Sequence, residues 1–178
     1  TANFDLSTGI TSVGAINIVT RSGSNDFHGS GYFFFRDHNM AAYPHLNRNA
    51  FDPDPFFARR QSGFWLGGPI KKDKAFFFFN LEHNNQDRSL AVQPDSPFFT
   101  GFAQLTNNPY TGKQISQRFD IRLSQNHNLF LRYSHDGNNG FGPNPEGAGR
   151  LPSTWLKNTN WADNSVLGLT STFRPTLV

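Results

Sequence analysis

Apolar and polar positions alternate with period two along most of the chain, and the roughly 3.6-residue period of an amphipathic helix is absent. The clearest case is Gln117 to Ser124, where Phe119, Ile121 and Leu123 share one face and Arg118, Asp120, Arg122 and Ser124 the other. Asn128 to Asp136 repeats it, with Leu129, Leu131 and Tyr133 opposite Arg132, Ser134 and Asp136. The same reading predicts strands over Ala15 to Arg21, His28 to Arg36, Gln61 to Ile70, Ala75 to about Arg88, and Trp161 to Phe173. In the Ala75 strand, Phe77, Phe79 and Leu81 oppose Phe78, Asn80, Glu82 and Asn84.

The connections carry more information than any one strand. Asp37 to Arg59, Ser89 to Gln114 and Gly137 to Asn160 are each longer than about 20 residues, and they alternate with tight turns at Lys71 to Lys74 and Gln125 to His127. Long structureless loops are rare in a compact soluble domain. Outer-membrane barrels, by contrast, join their strands by long extracellular loops and short periplasmic turns. The faces agree, since one is Phe, Leu and Ile with Tyr133, Trp161 and Phe173 near its ends, and the other is Asn, Arg, Asp and Ser. The predicted fold class is therefore all-β: an antiparallel transmembrane β-barrel fragment of about six strands. A soluble all-β domain burying the same apolar face is the alternative.

Composition narrows the class further. Phe occurs 20 times, Met once and Cys never, with 16 Gly and 11 Pro. Mean hydropathy is -0.55, and the longest apolar run, near Ala75 to Phe79, is far short of the roughly 20 residues a membrane helix needs. Alternating barrel strands keep average hydropathy low, so that value is compatible with a barrel. The formal charge of +3 is spread along the chain, and its tightest basic groups, Arg59-Arg60 and Lys71-Lys72-Asp73-Lys74, are too small to suggest nucleic acid. No signal-peptide pattern is present, and both ends read as cut within a longer chain.

Two blocks carry a family resemblance. Gly14-Ala15-Ile16-Asn17-Ile18-Val19-Thr20-Arg21-Ser22-Gly23-Ser24-Asn25 resembles the strand that closes the plug of TonB-dependent outer-membrane receptors, and Asp26-Phe27-His28-Gly29-Ser30 resembles the passage into their barrel. Gly67-Gly68-Pro69-Ile70-Lys71-Lys72-Asp73-Lys74-Ala75-Phe76-Phe77-Phe78 is similar to the hairpin of the Oar-like branch, whose members often carry an N-terminal carboxypeptidase-regulatory-like domain. With Ser171 to Val178 the blocks span nearly the whole chain in family order. The resemblance implies that residues 1–27 end a plug and 28–178 begin a barrel. It also implies that the parent imports a scarce ligand (siderophore, carbohydrate or peptide) across the bacterial outer membrane. TonB would act through a part of the parent absent here, and outer-membrane lipid would surround the barrel.

Asn17, Thr20 and Arg21 are expected on the final plug strand, and Asn80, Glu82, Arg122 and Arg132 are expected to face the lumen. Gly67-Gly68-Pro69 is expected to end a strand, because Pro cannot donate to the ladder. The sequence carries no catalytic or metal-binding motif. His28, His38, His45, His83, His127 and His135 show no ligand spacing, and Asp136-Gly137-Asn138-Asn139-Gly140 departs from a calcium loop by its misplaced Gly and by Gly147 at the last ligand position. Glu82 and Asp87, an odd number apart, lie on opposite strand faces. No enzyme activity, cofactor or metal is expected. The loop aromatics, among them Tyr43, Phe56, Phe98, Phe141 and Trp155, suit either ligand contact or loop packing. A secreted or surface-attached adhesion module that binds glycans is the alternative function.

Overall fold

The computed structural model describes residues 20–42, 54–94, 96–144 and 150–173. Among the described residues seven strands form one antiparallel sheet: β1 (His28–Asp37), β2 (Phe57–Lys71), β3 (Ala75–Val92), β4 (Gln104–Asn107), β5 (Tyr110–Arg122), β6 (His127–Gly142) and β7 (Leu156–Ser171). The order is β1-β2-β3-β5-β6-β7, with the short β4 folded back onto the end of β3. Short 3-10 helices at His38–Met40, Pro97–Phe102 and Pro152–Thr154 sit in the connections. No helix among the described residues is long and apolar enough to cross a membrane.

Each predicted strand from His28 onward is present, and most run further than the apolar alternation does. β6 and β7 stay paired through Gly142 and Leu156, well inside the segment expected to be a loop. Asn160 Nδ2 donates to Asn138 Oδ1 at 3.2 Å and Thr159 Oγ1 to Asn139 Oδ1 at 2.8 Å, so polar side chains continue the ladder beyond the apolar rows. Pro69 does not end β2. The register shifts between Pro69 and Lys71, and the strand continues to Lys71, so the missing N–H is absorbed by a bulge. Asp73, with φ of 63°, makes the tight turn that follows.

The register sorts side chains into two faces. On one, Phe64, Leu81 and Ile115 share a rung with His135 and Asp163, and below it come Leu66, Phe79, Gln117, Tyr133 and Ser165. Lower rungs hold Phe77, Phe119, Leu131 and Leu167, then Ala75, Ile121, Leu129 and Leu169. These apolar side chains are half-buried or exposed and none is buried; Leu167 is 70% and Leu169 60% accessible. A soluble fold would cover such a surface, and a bilayer is the medium in which it is stable.

The upper edge of this apolar band moves down the sheet from strand to strand. It lies above Phe35 on β1, at Phe64, Leu81 and Ile115 on β2, β3 and β5, at Tyr133 on β6 and at Leu167 on β7. Strands tilted by about 35–45° to the membrane normal must show such a slanting border, because a horizontal plane cuts each successive strand at a different residue. Among the described residues the buried side chains Val92, Trp155, Ala58 and Asn108 lie at the loop end, where Phe141 packs on Trp155 at 5.6 Å between ring centroids, and toward the turn end Gly67 and Gly68 are buried.

Candidate functional site

The second face is polar and hydrogen-bonded. Its rungs run Trp65, Asn80, Ser116, Ser134; then Gly63, Glu82, Gln114, Asp136; and, toward the turns, Phe78, Arg118, Arg132. Tyr32 crosses over Gly63 to donate to Glu82, while Gln61 Nε2 donates to the other Glu82 oxygen at 2.8 Å. A Cβ at Gly63 would stand 2.6 Å from the Tyr32 ring and hydroxyl, so glycine is what lets Tyr32 reach across. Arg59 extends the network through Gln61 Oε1 at 3.1 Å and Asn84 Oδ1 at 3.3 Å.

Arg118 organises the lower part. Its guanidinium grips Asp120 through Nε at 2.8 Å and Nη2 at 2.7 Å, lies 5.1 Å from the Phe130 ring centroid, and donates from Nη1 to Thr20 Oγ1 at 2.9 Å. Arg21 stacks over Trp65 at 5.0 Å, and Trp65 is itself stacked on Phe78. Thr20 and Arg21 therefore rest on this polar face. From there the chain crosses the turn end of the β2–β3 hairpin: Asn25 Nδ2 donates to Asp73 Oδ1 at 2.7 Å and Asn25 Oδ1 accepts from Asp73 N at 2.9 Å. Gly23 lies so close to the Gly68 and Phe77 backbone that an added Cβ would sit 2.9 Å from Gly68 O. Beyond it, Phe27 packs on Phe77 and Gly68, and β1 begins.

Asn80, Glu82, Arg122 and Arg132 all lie on the polar face. Asn80 and Arg132 border one recess of about 260 Å³ with Thr20, Arg21 and Arg118, and Arg132 Nε is buried there without a hydrogen-bond partner among the described residues. Glu82 is one rung higher, in the Tyr32 network, and Arg122 stands apart at the turn end beside Asn128. Asn17 lies outside the described residues. Thr20 and Arg21 are not in a strand, contrary to the sequence reading, because their side chains engage Arg118 and Trp65 while the chain bends toward Asn25.

Sequence reasoning placed Arg118 and Asp120 on one face but did not single out Arg118 as a site residue, although the Arg-x-Asp spacing is the signal of that pair. It also missed Tyr32 among the β1 aromatics. Among the described residues no three His, Cys, Asp or Glu side chains gather as a metal site requires.

One comparison with known protein families agrees with this architecture. Residues 19–100 match the family described as outer membrane beta barrel domain. Curated proteins with partial similarity include an uncharacterized lipoprotein of Staphylococcus aureus, 30% identical over 70 residues, and one of Staphylococcus epidermidis, 32% identical over 74 residues. These alignments cover 35% and 38% of this chain and 27% and 28% of the relatives, so the chain spans little more than a quarter of their length. No solved structure matches. An antiparallel meander, an exposed apolar band with a slanting border, an opposite polar face and the family match lead to one conclusion: the chain supplies strands of a β-barrel that resides in the outer membrane.

Proposed function

We propose that this chain belongs to a TonB-dependent receptor that binds a scarce ligand at the cell surface and imports it. In this reading residues 1–27 are the end of a plug that fills the lumen, and residues 28–178 begin the barrel around it. The polar face lines the lumen, so Asn80, Glu82, Arg122 and Arg132 meet water and plug rather than lipid. TonB draws on the proton-motive force to displace the plug, and the chain serves binding and passage without catalysis.

The observation that carries the reading is the docking of Thr20 on Arg118 and Arg21 on Trp65. The segment preceding β1 leaves from the polar face, as a plug inside the barrel requires, and its sequence resembles a plug-closing strand. Arg132 Nε, without a hydrogen-bond partner among the described residues and beside that contact, suits a face that receives further polar groups.

Planar-bilayer conductance of the intact protein, together with capture of purified TonB periplasmic domain, tests the proposal. A closed intact barrel that becomes a steady pore when the residues before Phe27 are deleted, and that retains TonB, is the expected result. An intact protein that conducts freely, or one indifferent to TonB, overturns the proposal and moves the adhesion reading forward.

A further inference from the structure

Directly above the apolar band, the lipid-facing surface carries three cationic or hydrogen-bonding side chains on adjacent strands. Ser62, His83 and Lys113 form the rung above Phe64, Leu81 and Ile115, and Arg60 occupies the next rung on β2. His83 and Lys113 are directly opposite, and Arg60 is diagonal to His83. All three are exposed, and none makes a hydrogen bond or ion pair among the described residues.

Of the neighbouring acids, Asp37 and Asp87 lie diagonal to Arg60 on the two flanking strands, and Arg60 acts electrostatically on Asp37, whereas no acid flanks His83 or Lys113 on their own rung. Asp163, one rung lower and two strands away, accepts from Tyr133 Oη at 2.7 Å and lies 2.7 Å from His135 Nδ1. Asp37 and Asp87 share the rung beyond Arg60, and Asp37 Oδ1 accepts from Asn39 N at 3.0 Å and Asn39 Nδ2 at 2.7 Å. On strands spaced about 4.8 Å apart, Arg60 and Lys113 stand about 12 Å apart at the backbone, a gap within the combined reach of two long, flexible side chains.

We infer that Arg60, His83 and Lys113 form a binding site for the phosphate group of an outer-leaflet lipid. The ligand must satisfy two conditions at once: acyl chains to lie on Phe64, Leu81 and Ile115, and an anion at the height of the next rung. A phosphorylated lipid has that layout, with its headgroup one rung above its hydrocarbon. The loops place this edge on the extracellular side, so the lipid is one of the outer leaflet. Basic groups at that height attract anionic headgroups, and the apolar rung below fixes the depth at which the phosphate arrives. The site owes nothing to plug, TonB or transported ligand and stands apart from the import proposal.

The test is native mass spectrometry of the intact protein, purified from outer membranes in detergent, with a bisphosphorylated diglucosamine lipid as the probe. The double variant Arg60→Gln/Lys113→Gln is expected to weaken lipid retention about thirtyfold. Dephosphorylated lipid should bind wild type about as weakly, and Arg60→Lys/Lys113→Arg should retain the phosphorylated form. Heat-modifiable migration on a gel confirms folding. Should the double variant not fold, Lys113→Gln alone is expected to lose about fivefold. Equal retention of phosphorylated and dephosphorylated lipid overturns the site, as does a folded Gln variant that binds like wild type. Equal competition by free inorganic phosphate would assign the cations to a soluble anion and also overturn the lipid reading.

Discussion

Replacing residues one at a time by Arg along the apolar face of β6 tests the membrane placement of the sheet. Leu129, Leu131, Tyr133 and His135 are successive positions on that face. Leu131 lies on the rung between Phe119 and Leu167, with the band ending at Tyr133 above it. At about 3.4 Å per residue and a tilt near 40°, His135 is about 10 Å higher in the bilayer than Leu131. An Arg on the lipid face costs about 2–4 kcal/mol at the midplane and about 0–1 kcal/mol near the interface. Leu131→Arg should therefore destabilise by about 2–4 kcal/mol, Leu129→Arg and Tyr133→Arg by intermediate amounts, and His135→Arg by less than about 1 kcal/mol. On the other face Gln114→Arg keeps Asp136 as its partner, and a change within about 0.5 kcal/mol is expected. Urea titration of folding into phospholipid vesicles, followed by tryptophan fluorescence, measures all five. A flat profile along β6, or one that peaks at His135, refutes the argument, because a water-excluded protein core has no reason to follow depth.

Other contacts make narrower claims. A double-mutant cycle between Thr20→Val and Arg118→Met should give a coupling of about 1 kcal/mol, discounted from the charged-donor range for partial exposure, and additive losses would detach the β1 leader from the polar face. Gly63→Val should cost about 1–3 kcal/mol by displacing Tyr32 from Glu82, whereas Tyr32→Phe in the Gly63→Val background should add almost nothing, since that bond is already lost; both are read by the same urea titration. Asn25→Ala should cost about 1 kcal/mol by releasing both Asp73 bonds, and Asn25→Asp should recover part of that by accepting from the Asp73 amide, as amide exchange at Asp73 will report.

Strand existence was legible because period-two alternation reports a sheet with two different sides, whichever solvent meets each side. Strand ends were not. Between Gly137 and Gly142 all residues but Phe141 are Gly or Asn, types that discourage strands on average, yet the partner strand offers Lys157 to Trp161 in register and backbone pairing continues. β4 was invisible for a similar reason, being a four-residue hairpin arm on β3 with no alternation long enough to read. At Pro69 the residue type was read correctly as a break in the ladder, but a break is satisfied equally by a bulge. The polar-face residues were legible as a set from parity alone. Their grouping was not, because Thr20 and Arg118 are 98 positions apart and only the chain path before β1 unites them.

Apart from the small β4 arm, every strand in the sheet pairs with its predecessor along the chain. Such an order can be laid down progressively. Each arriving hairpin finds its partner edge already in place, no strand waits for a distant one, and at any moment the growing sheet has a single advancing margin. In a medium where an unpaired peptide group has no water to turn to, this confines the hydrogen-bond debt during assembly to the two outer edges of the growing sheet. The meander thus describes a route into the membrane as well as a resting arrangement within it.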